Sequence, residues 1–88
     1  MEWESKKLAG YLKEKRLSAN LSQAAVGEKL GFSSPQFVSN WERGKCSPPR
    51  KSFSKLVKLY KLDVEEFIQL LLSEEEAALR KTLRLGKK

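Results

Sequence analysis

The segment from Ser34 to Lys45, SPQFVSNWERGK, constrains the fold most, because it encodes a short helix with its own start and stop. The hydroxyl group of Ser34 is suited to cap the N-terminus by accepting a backbone hydrogen bond. Pro35 suits the first helical position, where a missing N–H costs nothing. Gly44 suits the left-handed conformation that commonly ends a helix. The segment therefore predicts a helix over about residues 35–43.

This predicted helix has two unlike faces at about 100° per residue. Its apolar face carries Val38 and Trp41, which we assign to the core, while Phe37 lies between the faces. Phe37 either packs on Trp41, the favoured interpretation, or touches a thymine methyl group. The polar face carries Gln36, Ser39, Asn40 and Arg43. Amide side chains both donate and accept, so they can pair bidentately with adenine in a major groove.

We therefore predict base contacts from Gln36 and Asn40 first, with Ser39 and Ser34 as further candidates. The alternative is that these residues are merely exposed polar side chains. Arg43, at the end of the same face, is better placed for a phosphate.

The remaining chain predicts four more helices and no strand. A first helix spans residues 4–16, and Ser22 caps a second that ends at Gly31. A fourth covers residues 50–60, after a stiff connection that contains two prolines. Asp63 caps a fifth, so the fold class is all-α with five helices.

Gly27 lies in the middle of the predicted second helix, where glycine costs up to about 1 kcal/mol relative to alanine. A compensating benefit is the close approach of a crossing helix that leaves no room for a Cβ atom. The alternative is a tolerated flexible position.

The charge distribution predicts a polyanionic partner. The chain has 18 Lys and Arg against 11 Asp and Glu, a net charge of +7. No acidic residue occurs between Arg43 and Lys61, and this segment carries seven basic side chains: Arg43, Lys45, Arg50, Lys51, Lys55, Lys58 and Lys61. Nucleic acid is such a partner, although lysines on a helix also serve solubility alone.

An enzyme is not expected, because the chain has no histidine, one cysteine and no glycine-rich phosphate loop. We expect neither a metal nor another cofactor. Cys46 has no second cysteine to pair with, which favours a reducing compartment. The chain shows no signal peptide and no apolar run near the roughly 20 residues of a membrane span, so a cytoplasmic protein without membrane contact is expected.

The sequence changes in character at residues 73–88, SEEEAALRKTLRLGKK. Its pattern predicts an amphipathic C-terminal helical extension. They either continue the fifth helix or form a sixth that is capped by Ser73. The functional interpretation is a contact with a dimer partner or another protein, and the alternative is a frayed, solvated tail. The predicted division is therefore a domain over residues 1–72 and an extension over residues 73–88.

Residues 8 to about 72 resemble the DNA-binding domain of the Cro and phage-repressor helix-turn-helix regulators. The resemblance is carried by Arg16, Leu21-Ser22-Gln23, Val26-Gly27-Glu28-Lys29-Leu30-Gly31, Val38-Ser39-Asn40-Trp41-Glu42-Arg43-Gly44-Lys45, Pro48 and the apolar positions of the fourth helix. It implies a repressor-like five-helix fold in which Gln23 contacts a phosphate and Arg16 pairs with Glu42. Two positions depart from the family pattern. Gly27 replaces a frequent alanine, and the interval from Gly31 to Gly44 is one residue longer than usual, which leaves Ser33 as an alternative cap to Ser34.

On this basis we expect phosphate contacts on both sides of the predicted helix over residues 35–43, which would be the recognition helix. These contacts would supply affinity and set the register of the protein on the DNA. The predicted phosphate-contacting residues are Ser22, Gln23, Arg43, Lys45, Ser47, Arg50 and Lys51. Ser22 and Gln23 would be helped by the positive end of the second helix.

The sequence thus predicts a sequence-specific, repressor-like regulator of transcription that binds double-stranded DNA, as a homodimer on a palindromic site. The alternative is an antitoxin-type interaction module, which neutralises a partner protein through its C-terminal helix and regulates its own promoter.

Overall fold

The computed structural model of the chain describes residues 6–86 and contains five α-helices and no strand among them. The helices are α1 (Lys6–Ser18), α2 (Gln23–Leu30), α3 (Gln36–Glu42), α4 (Phe53–Tyr60) and α5 (Val64–Gly86). A 3₁₀ turn, Arg50–Ser52, leads into α4. The predicted all-α fold is confirmed. The predicted start of the first helix at residue 4 lies outside the described residues.

The helix ends follow the capping residues that were predicted from the sequence. The Oγ atom of Ser22 accepts the backbone N–H of Ala25 at 3.0 Å, which caps α2. At the other end of α2, Gly31 has a φ of 86°, the left-handed conformation that glycine adopts without steric cost. The Oδ1 atom of Asp63 accepts the N–H of Glu66 at 3.0 Å and caps α5. All three predictions are confirmed.

The turn before α3 resolves the choice between two serine caps. The Oγ atom of Ser34 accepts the N–H of Gln36 at 3.1 Å, so Ser34 is the residue that satisfies a free donor there. The helix itself begins at Gln36, one residue later than Pro35. Beyond its end, Gly44 has a φ of 75°, as predicted. A short helix with a defined start and stop is therefore present.

One hydrophobic core holds all five helices together. Its buried side chains are Leu8, Leu12, Val26, Leu30, Val38, Trp41, Leu56, Tyr60, Leu62 and Phe67. In this core α1 contacts α3, α4 and α5, and α2 packs directly on α3. Because α3 lies against both α1 and α2, its orientation is fixed by the interior of the domain.

Gly27 is buried where α2 meets the start of α3. A Cβ atom added to it would lie 3.2 Å from the carbonyl oxygen of Ser34, closer than ordinary van der Waals contact. The close approach predicted from the sequence is confirmed, but the neighbour is the backbone of the turn before α3 and not the middle of a crossing helix.

We expect Gly27→Val to destabilise the domain by about 1–3 kcal/mol more than Gly10→Val, because only the first substitution overpacks a contact. Gly10 is a matched control, since it also lies within a helix but an added Cβ would meet nothing within 4 Å. Thermal unfolding of both variants measures the difference. Equal losses would show that the turn yields to a side chain at position 27.

The last helix, α5, runs from Val64 to Gly86 without a break. The C-terminal segment therefore continues the fifth helix, and Ser73 does not begin a sixth. Phe67 of α5 is buried in the core, whereas every residue from Leu79 to Arg84 is exposed. The second half of α5 thus extends beyond the part of the helix that closes the core.

Candidate nucleic-acid interface

The polar face of α3 is turned away from the core. Gln36 and Arg43 are exposed, and Ser39 and Asn40 are partly exposed. Ser34, whose hydroxyl group accepts the N–H of Gln36, is also partly exposed. The structure therefore brings the four predicted base-contacting residues together on or beside one accessible helix face.

Asn40 is at the centre of a hydrogen-bonded row along this face. Its Oδ1 atom accepts a hydrogen bond from Gln36 Nε2 at 3.1 Å and another from Arg43 Nη2 at 3.3 Å. These bonds join side chains three and four residues apart, which are neighbours on a helix. Because the row is bonded to itself at the surface, its donors and acceptors can be exchanged for those of a ligand.

The opposite face of α3 is held by aromatic packing. Val38 is 0% exposed and Trp41 is 3% exposed. The ring of Phe32 lies edge-on to Trp41 at a centroid distance of 5.7 Å. Phe37 instead pairs with Phe32 at 4.9 Å and stays 46% exposed. Phe37 was expected to pack on Trp41, but the ring contacts of both residues in the structure are with Phe32, and Phe37 stays outside the buried core.

A buried ion pair fixes the C-terminal end of α3 to α1. Arg16 Nε and Nη2 donate to the two carboxylate oxygens of Glu42 at 2.6 and 3.0 Å, a bidentate contact. The side chains of Arg16 and Glu42 are only 9% and 3% exposed. The hydrogen bond that Arg16 donates to Glu42 raises the pKa of Arg16 above its ordinary value, so the guanidinium stays charged. Arg16 Nη1 also donates to the carbonyl oxygen of Leu21 at 2.8 Å.

Gln23 joins this network, a contact that the sequence analysis missed. Its Nε2 atom donates to Oε1 of Glu42 at 3.0 Å. The bond places the first residue of α2 beside the last residue of α3. Ser22, one residue earlier, is exposed and uses its hydroxyl oxygen to cap α2. The phosphate contacts predicted for Ser22 and Gln23 therefore stay predictions, and in this structure both side chains have protein partners.

The chain leaves α3 through a basic loop. The backbone N–H groups of Gly44 and Lys45 donate to carbonyl oxygens of α3, on Trp41 and Asn40, at 3.1 and 3.0 Å. These bonds fix the backbone of Lys45 at the end of α3, and the Lys45 side chain is exposed. Arg50 and Lys51 are exposed on the 3₁₀ turn that follows. The predicted basic residues thus form an exposed series after α3.

Ser47 makes a contact with α5 that has no signal in the local sequence. Its hydroxyl group donates to Oε1 of Glu74, 27 residues away. The other oxygen of Glu74, Oε2, is buried and has no hydrogen-bond partner among the described residues. Ser47 and Arg50 border a groove between the loop and α5, which is also lined by Glu75. The structure therefore places Ser47 nearer to an acidic side chain than the prediction of a phosphate contact assumed.

Two helices joined by a tight turn, with the second exposing a polar face, define the helix-turn-helix class of DNA-binding domains. A helix-turn-helix family model matches residues 12–67, a span that includes α2, the turn and α3. The chain belongs to this family, the helix-turn-helix domains of Cro and phage-repressor type. It is thus a DNA-binding domain of a kind that regulates transcription.

Comparisons with curated proteins and with solved structures found no match. Within residues 6–86, no helix combines the length and the apolar character that crossing a membrane requires.

Proposed function

We propose that the chain is a sequence-specific, repressor-like regulator that inserts α3 into the major groove of an operator. The observation that carries this proposal is the contrast between the two faces of α3. Its aromatic face is buried in the core, while its amide face is accessible. Gln36 and Asn40 would read base edges, and Ser39 and Ser34 would make shorter contacts at the same face.

On either side of α3, phosphate contacts would set the register of the domain on the duplex. The proposed residues are Ser22, Gln23, Arg43, Lys45, Ser47, Arg50 and Lys51. Gln23 would have to exchange its bond to Glu42 for one to a phosphate oxygen, and Ser47 its bond to Glu74. The structure records no side-chain hydrogen bond that Lys45 or Lys51 would have to break in order to contact a phosphate.

A homodimer on a two-fold-symmetric operator is the proposed binding unit. One recognition helix contacts only a few base pairs, so two copies are needed for adequate affinity and specificity. The half-sites would then lie about 34 Å apart, one turn of the duplex.

Selection from a library of random duplexes tests the proposed function. We expect an enriched motif made of two inverted half-sites, bound at least about 1,000-fold more tightly than scrambled DNA. Recovery of duplexes with no shared motif, at a salt concentration where binding is measurable, would contradict sequence-specific recognition.

Lys45→Ala should weaken binding to every duplex nearly equally and lower the salt slope by about 1, because a phosphate contact carries no base information. Lys58→Ala is the matched control. Lys58 is also exposed, but it lies on α4, where we assign it to solvent. Titrations at several salt concentrations measure both variants, and a changed sequence preference in Lys45→Ala would assign it to base reading instead.

The exposed leucines of α5 favour a second candidate, an antitoxin-type module that binds a partner protein and its own promoter. Leu72, Leu79 and Leu83 are 57%, 52% and 68% exposed, an unusual apolar surface for so small a domain. Isolation of a stoichiometric complex with a small toxin would support this function. Purification of the chain as a homo-oligomer with no partner protein would not support it.

A further inference from the structure

Phe37 is the one aromatic side chain among residues 6–86 that is exposed, and it lies on α3. Its exposed fraction is 46%, whereas that of Trp41, one turn further along the helix, is 3%. At about 100° per residue, Phe37 lies roughly 60° from Asn40 around the helix axis. An accessible apolar ring therefore borders the amide face of α3, to which the proposed function assigns the reading of bases.

The ring of Phe37 is supported from the side of the core. Its centroid lies 4.9 Å from that of Phe32, with 33° between the ring planes. The ring of Phe32 in turn lies edge-on to Trp41, which belongs to the core. A side chain that is already packed on one side loses less conformational freedom on binding than a free one. Phe37 is thus pre-organised, with one part of its ring in contact with the protein and the rest accessible.

The major groove offers a single chemical complement to an exposed phenyl ring. The base edges there present hydrogen-bond donors and acceptors, and the one apolar group among them is the C5-methyl group of thymine. Phe37 has no side-chain donor or acceptor, so covering any polar base edge with its ring would leave that edge without a partner. Contact with a thymine methyl group instead removes two apolar surfaces from water.

The spacing along α3 limits which thymine this can be. Side chains three positions apart on a helix, such as Phe37 and Asn40, have Cβ atoms about 5–6 Å apart. Successive bases on one strand are separated by about 3.4 Å along the duplex axis. The thymine beside Phe37 should therefore lie within about two base pairs of the adenine that is assigned to Asn40.

We propose that Phe37 is a specificity-determining residue, which selects thymine by its C5-methyl group next to the base pair that Asn40 contacts. This inference rests on the proposed insertion of α3 into the major groove and deepens it by naming one base of the half-site. In this arrangement the amides of α3 identify adenine by hydrogen bonds, and the ring of Phe37 identifies thymine by apolar contact.

Replacement of thymine by uracil tests the contact, because uracil pairs with adenine in the same way and lacks only the methyl group. In the duplex obtained from the random-duplex selection, each thymine is replaced in turn by deoxyuridine. We expect the replacement of one thymine in the half-site to weaken binding of the wild type by about 3- to 10-fold, the loss of one buried methyl group. Unchanged affinity for every uracil-containing duplex would overturn the proposal.

Two variants assign the methyl contact to the aromatic ring. Phe37→Ala and Phe37→Gln should each bind the thymine and uracil duplexes with equal affinity, since neither retains the ring. Leu79→Ala is the matched control, because Leu79 is also an exposed apolar residue, at 52%, but lies on the distant half of α5. It should retain the full preference of the wild type for thymine. Circular dichroism of all three variants checks that the helices are retained.

A purely structural role of Phe37 gives a different result. Both Phe37 variants would then bind every duplex more weakly, but the ratio between the thymine and uracil affinities would keep its wild-type value. That outcome would assign the methyl group to another residue and overturn the proposal.

The failure of this inference can be distinguished from the failure of the proposed function. If α3 reads bases but Phe37 does not, the random-duplex selection yields a motif and the uracil duplexes are bound as tightly as the parent. If α3 does not read bases at all, the selection yields no motif, which contradicts both proposals together.

Discussion

Glu42→Ala should lower the free energy of unfolding by about 3–5 kcal/mol, the largest stability loss that we expect from one side chain in this domain. The substitution leaves the Arg16 guanidinium buried with only the Leu21 carbonyl oxygen as its recorded acceptor. It also removes the acceptor of Gln23 Nε2. Since domains of this size have only about 5–15 kcal/mol of stability, much of the variant would unfold at moderate denaturant concentrations.

Urea unfolding of Glu42→Ala, Arg16→Met and the double variant measures this effect. The double variant should be less destabilised than the two single losses added together, because it leaves neither charge unpaired. Glu76→Ala is the control for a surface ion pair. Its side chain is 61% exposed, so it should cost at most about 0.5 kcal/mol. Similar losses in Glu42→Ala and Glu76→Ala would show that the buried pair contributes no more than an exposed one.

Asn40→Ala should reduce the discrimination between cognate and scrambled duplexes by about 1–3 kcal/mol while leaving the domain folded. Asn40 is the shared acceptor for Gln36 and Arg43, so its loss removes one amide from the proposed base-reading face and also frees two neighbouring side chains. Its side chain lies at the surface, and for this reason the stability should change by no more than about 0.5 kcal/mol.

Competition titrations with both duplexes measure the discrimination, and thermal unfolding verifies the fold. Gln69→Ala is the matched control, since it removes an exposed amide from α5, away from the recognition face. If Asn40→Ala retained the full preference of the wild type, α3 would not read bases through this residue.

The helix boundaries could be predicted from the sequence because they depend on local chemistry. Ser22 and Asp63 cap their helices through bonds to donors only three residues away. Gly31 and Gly44 end helices through a backbone conformation that favours glycine. The two faces of α3 follow in the same way from helical periodicity, which needs no knowledge of the rest of the fold.

Contacts between distant segments were harder to predict from the sequence. The pairing of Arg16 with Glu42 was expected from a family resemblance, and no local rule connects two residues 26 positions apart. The third member, Gln23, was missed because an amide at the start of a helix can face either a phosphate or a neighbouring carboxylate. Likewise, the meeting of Ser47 with Glu74 depends on how α5 lies against the basic loop, which periodicity does not specify.

Because α5 is one continuous helix, the directions of its C-terminal side chains are fixed relative to the core. Phe67 is locked against the ring of Phe53 at 5.4 Å, so the helix cannot turn about its own axis without disturbing the core. The direction in which Leu79 and Leu83 project is therefore set by the number of residues that separate them from Phe67. One added residue in between would swing that direction by about 100°, whereas seven would nearly restore it, so spacing constrains this part of the chain more than composition does.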